Sequence, residues 1–257
     1  KTVKDIYSEY PGESDVMKIR NYIRDKYVSN DLKYVIIGGG YKTVPLGKAL
    51  PYVSPETSEI YSDSFYSKLD GVTDSSGNGV HYEYADRADS YEDVYVGRFP
   101  GNTEEEINAV INKTIKYYSS DRNFRTGFNT SVFLLGLDVF SAGDGRYWCN
   151  NVGTEFSFPF VRDSVYEGVS PDFGKEDIIS RFNSGYNFVY SQSHGDYHVL
   201  RQTDNEFKIW SDDIMNLEGV SGLFYVAACK PGYFGGDSFS HKAMINPEGG
   251  CVTYIGS

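Results

Sequence analysis

The chain has 257 residues and a formal charge of −12. An apolar fraction of 40% with 23 Tyr and 16 Phe excludes a disordered chain, because enough surface can be buried to offset the ordering entropy. The acidic balance, with no local basic patch, argues against nucleic acid as a partner. Three Cys are too few for a disulfide framework, and no apolar run approaches the roughly 18 residues of a membrane-spanning helix.

In chain order, residues 15–28 carry Val16, Ile19, Ile23 and Tyr27 at helical spacing, which predicts an amphipathic helix. Residues 33–37 (KYVII) read as a buried strand ended by Gly38-Gly-Gly40. Residues 41–94 are rich in Pro, Ser, Gly, Asp and Tyr and read as long loops with short strands. Residues 93–99 read as a strand. Thr103-Glu-Glu-Glu106 then has the capping-box pattern, opening a helix whose expected apolar stripe is Ile107, Val110, Ile111, Ile115 and Tyr118.

Residues 131–137 (SVFLLGL) are nearly all apolar, as in a strand covered on both faces. Residues 151–168 are ambiguous, with a helical reading. Residues 175–184 predict a helix that turns Ile178, Ile179 and Phe182 inward and stops at Gly185. Strands follow at 188–191 and 222–228, then a helix at 238–246 and a last strand at 251–255. Alternating strands and helices predict an α/β three-layer sandwich, a mostly parallel sheet with helices on both faces. Such sheets bind ligands outside the carboxyl ends of their strands. Three chemistry-bearing residues stand there: Asp138, His194 and Cys229.

Cys229 precedes Lys230-Pro-Gly232, a turn that would expose its sulfur as a nucleophile; the alternative is a buried Cys acting as a small hydrophobe. His194 is followed by Gly195. Imidazole can take a thiol proton and return it to a leaving amine, and an unobstructed Gly195 N–H can join that of Cys229 in stabilising an oxyanion. Asp138 would hold the imidazole in its useful tautomer, with Asp144 in Ala142-Gly-Asp-Gly145 as its competitor. His81, His198 and His241 follow no apolar strand and read as structural.

Other motifs are weaker. Gly38-Gly-Gly40 lacks both the Walker and the dinucleotide spacing. The three Cys have no paired spacing for zinc. Asp70, Asp74 and Asn78 offer oxygen ligands to calcium without the EF-hand spacing, and read first as a polar turn.

Several of these segments together resemble the gingipain-type cysteine peptidases, which share a caspase-like fold with caspases and legumains. The resemblance runs through Tyr10-Pro-Gly12, Lys33-Tyr-Val-Ile-Ile-Gly-Gly39, Ser62-Asp-Ser-Phe-Tyr-Ser-Lys-Leu-Asp-Gly71 and Asp93-Val-Tyr-Val-Gly-Arg-Phe-Pro100. Its most specific part is His194-Gly195, Ala227-Ala-Cys229 with Gly232, and the closing Gly249-Gly250 and Tyr254-Ile-Gly-Ser257. It implies Cys229 as nucleophile, His194 as its base, Asp138 in the acidic position, and the Gly195 and Cys229 amides as the oxyanion hole. It also implies peptide-bond hydrolysis through a thioacyl-enzyme with no required cofactor, room for structural calcium, a protein or peptide substrate, and a secreted or cell-surface bacterial protein.

The expected organisation is an N-terminal caspase-like subdomain, 1–125, without the catalytic dyad, and a catalytic subdomain, 126–257. The chain opens on Lys1 rather than Met, and family members carry further sequence past the position of Ser257 that walls the substrate pocket, so the expectation is an excised piece with a truncated catalytic subdomain. Lys230-Pro231 departs from gingipains proper, and Asp237 is the one carboxylate considered for a basic P1 side chain. Two other functions fit the residues: a transpeptidase or sorting enzyme of the same fold, and a surface binding module with a decayed site. Cys229, His194, Gly195 and Asp138 occurring together argues against decay.

Overall fold

A computed structural model describes residues 1–49, 60–78, 81, 86, 91–119, 130–171, 173–204 and 206–256. The chain forms two compact units, Lys1–Asn102 and Thr103–Ser257. The expected boundary at 125/126 lies outside the described residues.

The first unit begins with helices α1 (Val3–Glu9) and α2 (Asp15–Asn30). Thr2 and Ser14 cap them by accepting the Asp5 and Met17 N–H groups. Strand β1 (Tyr34–Gly38) pairs in parallel with β4 (Tyr95–Phe99). Between them, β2 (Gly47–Ala49) and β3 (Ile60–Ser62) form an antiparallel pair, followed by the single turn α3 (Ser64–Ser67). The reading of β1 as a buried strand holds for Ile37 only: Tyr34 and Ile36 are exposed, with Tyr34 stacked on Tyr95.

The family-like segments of this unit meet in one buried ion pair. The Arg98 guanidinium donates from Nε and Nη2 to the two Asp63 carboxylate oxygens at 2.7 and 2.6 Å, and from Nη1 to the Gly39 and Val44 carbonyls. Arg98 thus ties β4, the glycine turn and the α3 segment together around Tyr66 and Phe65. Bidentate geometry and two further acceptors compensate the desolvated charge.

The second unit opens with α4 (Glu104–Ser119), where Thr103 Oγ accepts the Glu106 N–H as the capping pattern requires. Five parallel strands follow: β5 (Ser131–Gly136), β6 (Val161–Tyr166), β7 (Phe188–Gln192), β11 (Val220–Ala227) and β12 (Gly250–Gly256), in spatial order β12-β11-β7-β5-β6. Helix α5 (Asp144–Thr154) covers one face, packing Cys149 against Val132, Leu134 and Tyr190. Helix α6 (Lys175–Ser184) covers the other, where Phe182 meets Phe133 and Phe224 with ring centroids 5.7 and 5.4 Å apart. A three-layer α/β sandwich is therefore the observed architecture.

A small antiparallel sheet, β8 (His194–Asp196), β9 (Val199–Arg201) and β10 (Lys208–Trp210), follows β7 and leads into the short helix α7 (Ser211–Met215). Helix α8 (Phe239–Ile245) precedes β12.

Several expectations need correction. The region 151–168, read as helical, holds only the end of α5 and then β6, an edge strand of mixed polarity. The stripe expected of α4 is out of phase. Ile111, Ile115 and Tyr118 are exposed, and the buried face is Val110, Lys113 and Tyr117. Lys113 can sit inside because its ammonium donates to the carbonyls of Ala243, Met244, Asn246 and Gly249 at 2.7–3.1 Å. This joins α4 to the end of α8 and the entry to β12.

Arg98→Met should cost about 3–5 kcal/mol, since it strands the Asp63 charge in a largely buried site; urea denaturation would measure it. Burial pushes the Cys149 and Cys251 thiols up to about 12. Unfolded thiols ionise near pH 8.5, so the folded state retains protons that the unfolded state loses. Unfolding free energy should therefore fall as pH rises from about 9 toward 12, by about 1.4 kcal/mol per pH unit for each thiol.

Candidate active site

The site begins with register. Gly136 pairs with Gln192, and Gln192 with Ala227, so β5, β7 and β11 end at one level. Pairing runs one step further: the Leu137 N–H donates to the Gln192 carbonyl at 2.8 Å, and the Ser193 N–H to the Ala227 carbonyl at 3.2 Å. The next residues out from the sheet are Asp138, His194 and Ala228-Cys229.

His194-Gly195 and Cys229 are brought together. A methyl added at Gly195 would lie 2.8 Å from the Cys229 carbonyl oxygen, 2.9 Å from Ala228 Cβ and 3.0 Å from Pro231 Cδ. Only a residue without Cβ allows β8 to lie against this turn. Cys229 is exposed and unpaired, and among the described residues its N–H donates to no protein acceptor.

The turn itself is strained and braced. Lys230 adopts φ +65°, uncommon for a residue with a side chain. The Tyr233 N–H donates to the Lys230 carbonyl, and the Ser240 N–H to that of buried Pro231. The Lys230 ammonium lies 5.3 Å from the Tyr197 ring centroid, and Tyr197 packs edge-on with Tyr233.

His194 is half-buried, and its Nε2 lies 2.9 Å from the Val139 carbonyl oxygen. A carbonyl only accepts, so this contact assigns the proton of the neutral ring to Nε2 and leaves Nδ1 as the free base.

Asp138 does not face the imidazole. Its carboxylate accepts the Gly143 N–H at 2.7 Å and the Gly145 N–H at 3.0 Å, closing the loop between β5 and α5. The expected orienting group is thus replaced by the backbone carbonyl of the next residue. Thr203 Oγ donates to the Asp138 carbonyl at 2.9 Å and to that of Val139 at 3.2 Å. Asp144 accepts the N–H groups of Val139, Phe140 and Ser141. Partial burial opposes its charge, but these N–H groups and that of Gly145 outweigh burial and hold its carboxyl below the usual range.

Gly145 is required here too: a methyl on it would stand 2.5 Å from the Leu137 carbonyl oxygen, so its absence lets α5 dock on the end of β5. Glu167, just past β6, accepts the Asp138 N–H; burial, with Asp138, Asp204 and Asp144 nearby, raises its carboxyl. Val139, Thr203 and Glu167 were not singled out from sequence. Backbone carbonyls leave no residue-type signal, and Thr203 and Glu167 sit in polar stretches without periodicity.

The remaining candidates are engaged elsewhere. Asp237 is exposed, 3.4 Å from the Lys242 ammonium. Asp74 accepts the Ser76 hydroxyl and the Gly77 and Asn78 N–H groups within its own loop. Among the described residues no cluster of three or more His, Cys, Asp or Glu is arranged for a metal, and no helix is long and apolar enough to cross a membrane.

With the site described, comparison with known proteins is decisive. The model of peptidase family C25 matches residues 1–257. The chain belongs to peptidase family C25. It is 25% identical over 209 residues to gingipain R2 and to gingipain R1 of Porphyromonas gingivalis, covering 76% of this chain but 23% and 17% of those proteins. The chain therefore spans about a quarter or less of these relatives' length. Among solved structures it is similar to one described as a protease, with TM-score 0.71 and 17% identity over 93% of this chain and 49% of that one. It is also similar to the Arg-specific cysteine proteinase gingipain R, with TM-score 0.67 and 22% identity over 99% and 55%. The fold of this C25 chain is thus the caspase-like one.

Gly195→Ala should force the turn away from β8 and cost roughly 1–3 kcal/mol, as overpacking does. Thermal or urea unfolding would show the loss, and slower alkylation of Cys229 would show that the turn had moved.

Proposed function

We propose that the chain carries the catalytic site of a cysteine endopeptidase acting on protein or peptide substrates, in an exported or cell-surface bacterial protein. Family membership and the contact between Gly195 and the Cys229 turn support this reading, and the second is the observation that carries it. It sets the His-Gly pair of one strand end against the backbone of the turn that carries the exposed Cys229.

The reaction follows from the atoms. His194 Nδ1, unprotonated in the neutral ring, takes the Cys229 thiol proton, and Sγ attacks the scissile carbonyl carbon. The N–H groups of Gly195 and Cys229 stabilise the oxyanion that forms. Collapse breaks the C–N bond, the imidazolium gives its proton to the departing amine, and a thioester remains. Water, deprotonated by the same nitrogen, then releases the acid and restores the thiol. Structural calcium remains a proposal independent of these steps.

Iodoacetamide or an acyloxymethyl ketone should modify Cys229 and leave Cys149 and Cys251 untouched, since both are fully buried. Peptide mapping would identify the site. His194→Ala should suppress the labelling, and Cys229→Ala should abolish cleavage of a mixed peptide library. An inert Cys229 in a folded protein would refute the peptidase reading.

A further inference from the structure

We propose that Asp144 is a positioning residue for this reaction. Its carboxylate aims the Val139 carbonyl at His194 Nε2 and thereby fixes which ring nitrogen acts as base. This rests on the peptidase reading above.

The Val139 carbonyl and the Phe140 N–H belong to one planar trans unit and point in opposite directions. The Phe140 N–H donates to Asp144 Oδ2 at 2.7 Å. Fixing it there turns the Val139 carbonyl the other way, where it meets His194 Nε2 at 2.9 Å. The preceding unit repeats the device: the Val139 N–H donates to Asp144 Oδ1 at 2.9 Å, and the Asp138 carbonyl points away to Thr203 Oγ. A third N–H, that of Ser141, also reaches Oδ2, at 3.0 Å. Three consecutive peptide planes are thus held on one carboxylate.

Besides Asp144, Thr203 restrains this stretch, its Oγ donating to the Asp138 carbonyl at 2.9 Å and to the Val139 carbonyl at 3.2 Å. The Phe140 side chain is 85% exposed, so no apolar packing anchors the apex. Gly143 has φ +84°, in the left-handed region that glycine enters without steric cost. Asp138 braces the far side through the Gly143 and Gly145 N–H groups and leaves the Val139–Ser141 peptides to Asp144. The carboxylate never touches the imidazole. It acts through the backbone, so its loss would leave the Val139 carbonyl to the longer Thr203 contact and the His194 proton unassigned between Nδ1 and Nε2.

The test uses the full chain, with Asp144→Ala and Asp144→Asn beside the wild type. Nitrogen NMR of 15N-labelled histidine reads the His194 tautomer, and steady-state kinetics on a peptide substrate separates kcat from KM. The expected wild-type result is the Nε2–H tautomer. Asp144→Ala should mix the tautomers and lower kcat by about a hundredfold with KM little changed, the effect of a misplaced catalytic group. Asp144→Asn keeps one acceptor oxygen and should lie between. Should Asp144→Ala fail to fold, the Asn variant supplies the same two readouts. A folded variant with the wild-type tautomer overturns the proposal, whether kcat falls or not. A wild type that cleaves nothing, yet shows the Nε2–H tautomer and loses it in the variants, defeats the peptidase reading and upholds the positioning role.

Discussion

The site depends on three parallel strands that end in register. Gly136, Gln192 and Ala227 lie side by side across β5, β7 and β11. Because the strands are parallel, all three chain exits leave by the same edge of the sheet. Any other relative register would carry His194 and Cys229 apart by about 3.3 Å per residue of slip and turn their neighbours to opposite faces. The register is itself pinned by burial on both faces. Phe133 and Phe224 must meet Phe182, while Val132 and Leu134 must meet Cys149. Packing at the centre of the sheet therefore determines chemistry at its rim.

How much of this was legible follows from the same physics. A strand buried on both faces appears as a continuous apolar run, as β5 does, and β7 and β11 carry runs apolar enough to mark their end residues although Tyr225 of β11 is exposed. So could α6, whose Ile178 and Phe182 lie on one stripe closed by Gly185 at φ +68°. What escaped is held by backbone or by single polar groups. Strand β6 is mostly polar at the sheet edge, and β8 to β10 are three residues each, too short for any period to register. In α4 the apolar spacing favours Ile111 and Ile115, whereas the helix buries a lysine. Four carbonyls complete a cage around that ammonium, a favourable arrangement that no count of apolar residues can reveal.

Asp138 illustrates a harder ambiguity. A carboxylate at a strand end can serve a catalytic imidazole or its own loop, and both uses look alike in sequence. Here the loop wins. Gly143 and Gly145 present two N–H groups within the reach of its own short chain segment, and meeting them needs no long-range closure. A distant histidine offers one N–H, at the end of a different strand. Local donors at such short separation cost little entropy to gather, and the carboxylate takes them.

The consequence is a division of labour among the charged groups. Asp63 and Arg98, in segments that resemble the family, spend their charges on each other and hold the first unit together. Near the histidine, Asp138 and Asp144 spend their charge on backbone N–H groups, so the imidazole faces a neutral carbonyl instead of a carboxylate. A neutral acceptor fixes the tautomer as firmly as a charged one but stabilises an imidazolium less. In the proposed reaction, proton transfer from the thiol then draws more of its driving force from the thiolate's own surroundings. In that proposed reaction the backbone groups beside Cys229 that can supply it are its own N–H and that of Gly195, which packs against its turn, while the Lys230 ammonium lies over the Tyr197 ring.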